Sequence, residues 1–339
     1  MITEKFLVNS PFDEGVFAAA EILKNGGTVA IPTETVYGLA ANALNEAAVA
    51  EIFRAKGRPQ DNPLIVHISE TDEAVPLVSH FSERAKKCAE RFWPGPFTMI
   101  LKRSDLVPAS VSAGLDTVAI RMPSDEITRA IIKAAGVPLA APSANISGSP
   151  SPTTAERVIS DLDGKVNGIV VSHDCEVGVE STVITLAGEK PRLLRPGAVT
   201  LEQLLEILPD IEVDPAVLAE PEKGKPVASP GMKYKHYAPK TEVYLVEASG
   251  EKYAEFVNQK QNCAALCFAE DEENIKIKTV TYGSGQDPRT AAQGLFEALR
   301  KLDDLGVGTA YAHAPEKEGI GLAVYNRLIR AAGFKVIKL

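Results

Sequence analysis

The spacing of hydrophobic and polar positions changes twice along the 339-residue chain. Up to residue 208, runs with apolar residues three or four positions apart alternate with short β-branched runs, which is typical of helices that cover a sheet. The runs predict helices at 13–25, 45–55, 82–92, 124–136 and 201–208, one more helix from Thr153 or Thr154, and strands at 28–31, 64–68, 97–102, 117–122, 168–172, 181–186 and 192–195.

The pattern stops at Pro209 and returns at Thr241. Six prolines (209, 215, 221, 226, 230 and 239) interrupt this stretch, which indicates a linker. Its last third, residues 229–239, also contains two lysines, two tyrosines and a histidine. That composition favours a segment that folds over a site, although a basic tether would have the same composition.

From Thr241 on, strand and helix runs follow one another regularly. This order predicts a small Rossmann-like α/β unit around a mainly parallel sheet, and it contains no GxGxxG or Walker pattern. Because the chain is long for one hydrophobic core, we predict a catalytic domain at 1–208, a linker at 209–240 and a C-terminal domain at 241–339. The predicted C-terminal strands are 242–247, 264–268, 278–282, 309–313 and 335–339, and the helices are 251–260, 289–305 and 321–332.

Charge and composition narrow the class of protein. The balance of 36 Lys+Arg against 45 Asp+Glu gives a net charge of −9, which argues against blanket binding to nucleic-acid phosphates but leaves room for a local basic groove. The sequence shows no apolar run long enough for a membrane span and no secretion signal at its start, so we expect a cytoplasmic protein. The four cysteines lack zinc-like spacing, and we expect buried thiols.

One polar stretch is the strongest candidate for chemistry. Lys56 and Arg58 follow a helix and flank Gly57, a polar turn follows, and His67 lies in the next strand. Two cations at a helix end can simply compensate its dipole. Alternatively, they hold a polyanion such as a nucleotide phosphate, and the residues alone do not decide between these interpretations.

Three other segments carry polar groups where a plain connector would not need them. Residues 32–39 are rich in hydroxyls, Arg121 sits in an apolar strand, and the small-residue loop at 138–152 offers hydroxyls and an amide. An arginine in such a strand either lies at an edge or faces an anion, because burying it unpaired costs several kcal/mol. The loop is equally compatible with an ordinary Ser/Pro connection.

Together these segments resemble the L-threonylcarbamoyladenylate synthases, in the long two-domain branch of that family. Lys56-Gly-Arg58 paired with Ser143-Ala-Asn145 matches the family signature. The resemblance covers nearly the whole chain, and other motifs match the family as well. They are Pro32-Thr-Glu-Thr35-Val-Tyr-Gly-Leu39, Asn62-Pro-Leu64, Trp93-Pro-Gly-Pro-Phe-Thr98, Ala119-Ile-Arg121 and Glu180-Ser181-Thr182. The resemblance implies a YrdC-like fold, a twisted mixed sheet with flanking helices.

The resemblance also implies a reaction: L-threonine, bicarbonate and ATP give threonylcarbamoyl-AMP and pyrophosphate, for the threonylcarbamoyladenosine modification of tRNA. Mg2+ is expected on the phosphates, and tRNA and other proteins of the pathway are candidate partners. By the same resemblance, Lys56 and Arg58 are the catalytic candidates. ATP is assigned to Arg58, Asn62, Thr117, Ser143, Asn145, Ser151, Arg195 and Ser229, threonine to Thr35, His67, Arg121, Ala141 and Ser181, and a linker lid to Lys235 and His236.

Three rival functions stay open at this point. A carbamoyltransferase of hydrogenase maturation contains a similar module, but its zinc-finger-like segments need more cysteines than this chain has. A non-enzymatic RNA-binding module of the same fold is a second alternative, which the net charge weakens. A metalloenzyme is the weakest alternative, because the five histidines are scattered without ligand spacing.

Overall fold

The computed structural model describes residues 1–220 and 237–339, and two separate β-sheets organise this part of the chain. The larger sheet has eleven strands within the described residues. They are β1 (Glu4–Leu7), β2 (Val29–Ile31), β3 (Gly38–Asn42), β4 (Ile65–His67), β5 (Phe97–Lys102), β6 (Thr117–Arg121), β7 (Leu139–Ala140), β8 (Gly168–Val171), β9 (Thr182–Thr185), β10 (Arg192–Arg195) and β11 (Glu212–Val213).

The larger sheet is mixed, with the strand order β1-β8-β2-β3-β7-β4-β6-β5-β9-β10-β11. The sheet contains both parallel pairs, such as β4–β6, and antiparallel pairs, such as β5–β6, and this confirms the predicted twisted mixed sheet. The register matters for function because it sets His67 of β4 and Thr98 of β5 on either side of Arg121 in β6.

Seven helices flank the larger sheet within the described residues, and local caps explain their ends. Asn45 accepts hydrogen bonds from the N–H groups of Ala47 and Ala48 at the start of α2, and Gly57 ends α2 with a φ of +61°. The helices are α1 (Glu14–Lys24), α2 (Glu46–Lys56), α3 (Glu83–Phe92), α4 (Ala109–Ser112), α5 (Glu126–Ala135), α6 (Ala155–Leu162) and α7 (Leu201–Ile207).

The second sheet is parallel throughout, in the order β14-β13-β15-β12-β16, which confirms the predicted small α/β unit. Of its three described helices, α10 is unusual because every one of its residues is buried. The strands are β12 (Glu242–Glu247), β13 (Cys263–Cys267), β14 (Lys278–Thr281), β15 (Thr309–His313) and β16 (Val336–Lys338), and the helices are α8 (Gly250–Asn258), α9 (Pro288–Asp304) and α10 (Gly321–Ala331).

Several short elements were absent from the sequence prediction. Strands β1, β3, β7 and β11 have two to five residues each, too few for a clear period-two pattern. Strand β11 lies inside the segment predicted to be a linker and pairs with β10. The larger sheet therefore extends past Pro209. The cap of α5 is Asp125, which accepts from the Thr128 N–H at 2.7 Å, so α5 begins at Glu126, two residues after the predicted start at 124.

The two sheets belong to regions of the chain that make direct polar contacts. Arg157 of α6 forms an ion pair with Glu297 of α9 at 2.6 Å, and Arg300 of α9 pairs with Asp161 at 2.7 Å. The predicted domain limits themselves stay a prediction.

No helix in the described ranges is long and apolar enough to cross a membrane. All four cysteines are buried free thiols, as predicted.

Candidate active site

An open cavity lies where β4, β6 and the loops after β2, β7 and β8 converge. Arg58, Arg121 and Arg195 all face it, so the cavity has an excess of positive charge suited to anions. Its lining consists of Thr33, Val36, Gly38, Arg58, Pro63, Leu64, Ile65, His67, Arg121, Ala141, Pro142, Ser143, Glu180, Ser181, Arg195 and Tyr237.

Arg121 is a buried cation of this lining, and it forms an ion pair with Glu34. Its Nη2 lies 2.8 Å from Oε1 of Glu34, and the two side chains are only 5% and 7% exposed. The alignment of this ion pair falls outside that of a hydrogen bond. Among the described residues, Arg121 Nε and Nη2 and both Glu34 oxygens therefore have no hydrogen-bond partner. Buried donors in this state suit a bidentate anion such as a carboxylate.

His67 lies beside Arg121 in the register of β4 and β6. Its Nδ1 is 3.1 Å from the carbonyl oxygen of Ile65, which can only accept, so Nδ1 carries the proton and Nε2 has a free lone pair. Burial, together with the positive charge of Arg121, lowers the pKa of His67 to about 3. The imidazole is therefore neutral at neutral pH, and it is a hydrogen-bond acceptor and a weak base.

Ser181 contacts both Thr98 of β5 and Arg195 of β10. Its hydroxyl lies 2.8 Å from the hydroxyl of Thr98 and accepts a hydrogen bond from Nη2 of Arg195 at 3.1 Å. Arg195 Nε also donates to the Ser181 carbonyl at 3.0 Å. A register shift between β9 and β10 at residues 193–195 turns Arg195 to this position, as β-bulges commonly do near binding sites.

The signature loop at Ser143 is held from behind by Lys56. Lys56 Nζ lies 2.5 Å from the carbonyl oxygens of Ser143 and Asn145 and 3.4 Å from the Asn145 side-chain oxygen, which occupies all three of its donors. Burial and the nearby charge of Arg58 lower the pKa of Lys56 well below its ordinary value. In this structure Lys56 fixes the loop. Ser143 is one of the residues that line the cavity, and its hydroxyl donates to the Asn145 side-chain oxygen at 2.5 Å.

Arg58 and Asn62 belong to the polar stretch after α2, for which phosphate binding was one of the two predicted roles. Arg58 Nη2 donates to the Asn62 carbonyl at 3.2 Å, and burial lowers the pKa of Arg58 to about 10, so the guanidinium stays charged at neutral pH. The Asn62 side chain is 2% exposed, and its amide has no hydrogen-bond partner among the described residues. An unsatisfied buried amide costs about 1–3 kcal/mol, which makes it a candidate ligand group.

The remaining predicted residues differ in how they meet the cavity. Ala141 lines it through the loop after β7. The Thr35 hydroxyl lies 2.9 Å from the Thr33 hydroxyl, and the Ser151 hydroxyl donates to Glu180 at 2.6 Å. Both hydroxyls therefore already have hydrogen-bond partners within the protein. Thr117 starts β6, about 13 Å along the strand from Arg121 at 3.3 Å per residue. Ser229, Lys235 and His236 lie outside the described residues.

Comparison with known proteins decides what this cavity belongs to. The family model Sua5/YciO/YrdC, described as "Telomere recombination", matches residues 21–197, and the model "Threonylcarbamoyl-AMP synthase, C-terminal domain" matches residues 199–333. A threonylcarbamoyl-AMP synthase of Pyrococcus abyssi is 44% identical over 333 residues, which cover 95% of both chains. The chain belongs to the threonylcarbamoyl-AMP synthase family.

Other members of this family agree. A threonylcarbamoyl-AMP synthase of Bacillus subtilis is 43% identical over 343 residues, covering 99% of this chain and 97% of its own. The crystal structure of P. abyssi Sua5 complexed with L-threonine matches with a TM-score of 0.90 at 40% identity and covers both chains completely. Both regions of the chain are therefore represented in known members.

Membership in the threonylcarbamoyl-AMP synthase family confirms the predicted family, fold, enzyme class and reaction. The protein is a transferase that forms the threonylcarbamoyl adenylate used in tRNA modification, and ATP is its substrate. The rival predictions of a carbamoyltransferase component and an RNA-binding module gain no support. The role of each residue stays a prediction.

Three residues of this synthase site were missed by the sequence prediction. Glu34 pairs with Arg121, Glu180 receives the Ser151 hydrogen bond, and Tyr237 lines the cavity. Glu34 and Glu180 both lie within quoted family motifs, which was the available signal. Their roles depend on contacts with distant parts of the chain, which the motifs do not contain.

Proposed function

We propose that Arg121 and His67 hold L-threonine in the cavity, and that Arg58, Asn62, Ser143 and Arg195 hold the phosphates of ATP. The observation that carries this division is the pair of buried Arg121 donors without a hydrogen-bond partner, directly beside the neutral His67. The Arg121 guanidinium offers a fork that fits the threonine carboxylate. The His67 Nε2 accepts a hydrogen bond from the threonine hydroxyl or ammonium group.

The ATP end of the cavity is proposed from its charge and its free polar groups. Arg58 and Arg195 place two cations on the lining, and Ser143 lines the cavity as well. Asn62 provides the unpartnered amide near Arg58. This set cancels negative charge on phosphate oxygens, which is the main requirement for catalysis of phosphoryl and nucleotidyl transfer.

The chemistry then needs position more than a reactive side chain. The threonine amine forms a carbamate, either with bicarbonate and loss of water or with CO2 and loss of a proton. A carbamate oxygen then attacks the α-phosphorus of ATP while pyrophosphate leaves. Holding threonine at Arg121 and the phosphates at Arg58 and Arg195 brings these atoms together in one cavity. Because His67 is a weak base, its role is orientation of threonine.

Mg2+ would be held mainly by the phosphates and water, where it adds positive charge on the leaving pyrophosphate. The carboxylates beside the cavity already have cationic partners: Glu34 pairs with Arg121, and Glu180 pairs with Arg327. The described residues also contain no group of three or more His, Cys, Asp or Glu suited to a metal. The protein residues therefore fit Mg2+ that arrives with ATP.

The product adenylate must be consumed by the proteins that complete the tRNA modification. We place this step in the cytoplasm, with those proteins and tRNA as partners. The net charge of −9 makes transfer through a protein partner more favourable than broad contact with RNA.

The direct test is incubation of the full chain with ATP, bicarbonate and radiolabelled L-threonine, followed by separation of the adenylate from free threonine. We expect a labelled adenylate that requires all three substrates, and its loss in Arg121→Met. Arg103→Met is the matched control, because the Arg103 side chain lies outside the cavity lining and donates to carbonyls of its own loop, including those of Leu115 and Val107. No labelled adenylate together with tight binding of RNA would favour the RNA-binding module instead.

A further inference from the structure

Arg327 of α10 reaches from the C-terminal region to the back of the cavity wall. Its side chain is 0% exposed. Nε lies 2.7 Å from Oε2 of Glu180, and Nη2 donates to the Glu180 carbonyl at 3.2 Å. Nη1 donates to the Pro196 carbonyl at 3.0 Å. One guanidinium therefore joins the segment that precedes β9 to the segment that follows β10.

Glu180 transmits this contact to the cavity, which it lines. Its other carboxylate oxygen accepts a hydrogen bond from Ser151 at 2.6 Å. Burial alone would raise the pKa of Glu180, but the charges of Arg327 and Arg195 and the hydrogen bonds from Ser151 and Arg327 outweigh it and lower the pKa. Glu180 is thus a fixed anion between Arg327 and Ser151.

The residues next to these contacts are those assigned to substrates. Ser181 follows Glu180, and Arg195 precedes Pro196, so each side of the Arg327 fork is adjacent to one of them. The two segments are also in close contact, since a Cβ on Gly197 would lie 2.4 Å from the Thr182 amide nitrogen. A small shift of either segment would therefore change the geometry of Arg195 against Ser181.

Neighbouring contacts extend the same arrangement. Asn326 of α10 donates to the Val217 carbonyl at 2.6 Å. Tyr237, which lines the cavity, packs at a tilt against Phe296 of α9 with 5.2 Å between ring centres. Helix α10 is completely buried by these contacts and by its own sheet. The C-terminal region therefore packs against residues that line the active site.

We propose that Arg327 is a positioning residue for catalysis, which sets Glu180, Ser151, Ser181 and Arg195 in the geometry that binds substrates. This inference rests on the function proposed above. Arg195 and Ser151 are on the ATP side and Ser181 is on the threonine side, so the ATP side depends more strongly on Arg327. The C-terminal region thereby contributes directly to ATP affinity, beyond its contribution to stability.

The test compares variants of the full chain in threonine-dependent pyrophosphate release, with KM measured for ATP and for threonine. Arg327→Lys keeps a positive charge near Glu180 but cannot form the forked contacts to both segments. We expect its KM for ATP to rise at least ten-fold, with a smaller rise for threonine. Glu180→Gln keeps the shape of that side chain, and we expect the same direction of change.

The control is Glu297→Gln, which removes the charge of an ion pair across the same boundary outside the cavity lining. Both KM values should stay within two-fold of the wild type. The double variant Arg327→Met with Glu180→Gln removes both buried charges. If Arg327 acts by positioning, the double variant recovers thermal stability relative to Arg327→Met but keeps the raised KM for ATP.

Two results would overturn the inference. One is a KM for ATP in Arg327→Lys within two-fold of the wild type, and the other is recovery of both stability and KM in the double variant. Failure of the proposed function would instead be visible without any Arg327 variant, as unchanged threonine binding in Arg121→Met.

Discussion

The ion pair of Arg121 and Glu34 gives a prediction that separates stability from substrate binding. Both side chains are almost fully buried and 2.8 Å apart. Removing one partner leaves the other charge buried and uncompensated, which costs about 3–5 kcal/mol of the free energy of unfolding. Arg121→Met and Glu34→Gln should each be destabilised by this amount.

The double variant Arg121→Met with Glu34→Gln should behave differently, because it leaves no unpaired charge. Its remaining cost is an unsatisfied amide, about 1–3 kcal/mol. The sum of the free-energy losses in the two single variants should therefore exceed the loss in the double variant by about 3 kcal/mol or more.

Threonine binding should follow Arg121 alone. Two charge-assisted hydrogen bonds to a carboxylate are together worth about 3–6 kcal/mol, so their loss should raise the Kd for threonine by about 10²–10⁴-fold. This loss should appear in Arg121→Met and persist in the double variant, although its stability recovers.

The assays are urea unfolding followed by circular dichroism, and calorimetric titration with L-threonine. Arg103→Met serves again as the control for threonine binding. Additive free-energy losses, or a double variant that binds threonine like the wild type, would refute the reasoning from the ion pair.

Three further predictions concern the rest of the cavity. Arg58→Ala should mainly raise the Kd for ATP and His67→Ala mainly that for threonine, both measured by calorimetry, and equal losses of both affinities would contradict the division. Lys56→Met should raise the Kd for ATP about ten-fold, because the carbonyls of the Ser143 loop lose the hydrogen bonds that Lys56 donates. Unchanged ATP affinity would show that the loop keeps its conformation without Lys56. Because His67 has a lowered pKa near 3, the unfolded chain protonates it near pH 6.5 and the folded chain does not, so stability falls by about 1.4 kcal/mol per pH unit as the pH drops from about 6 toward 3. His67→Gln should flatten this slope in urea unfolding, and an unchanged slope would mean that His67 titrates normally in the fold.

The longer elements could be predicted from the sequence because their patterns are local. Helix α2 has a capping Asn45, a glycine stop at Gly57 and apolar residues at helical spacing, and all three signals lie within thirteen residues. The regular alternation after Thr241 predicted the second sheet for the same reason. Strand β7 has only two residues, so its place beside β4 depends on tertiary pairing alone.

The site was predictable only where a motif carries the chemistry within itself. Arg121 stood out as a cation in an apolar strand, and His67 as a polar residue in another, but nothing in either strand showed that they are neighbours. That contact comes from the parallel register of β4 and β6. Glu34 could not be assigned a role for the same reason.

The contribution of the C-terminal region was beyond sequence reasoning. Arg327 lies 147 residues from Glu180, in a helix whose pattern predicts only packing against a sheet. Long-range ion pairs of this kind are set by how two regions dock, which periodicity and composition do not encode.

The most direct test of the central claim is a crystal structure of the full chain with L-threonine and a non-hydrolysable ATP analogue. We expect both ligands in the one cavity, with the threonine carboxylate within hydrogen-bond distance of Arg121 and the phosphates at Arg58 and Arg195. Threonine bound away from Arg121, or the two ligands in separate cavities, would contradict the claim.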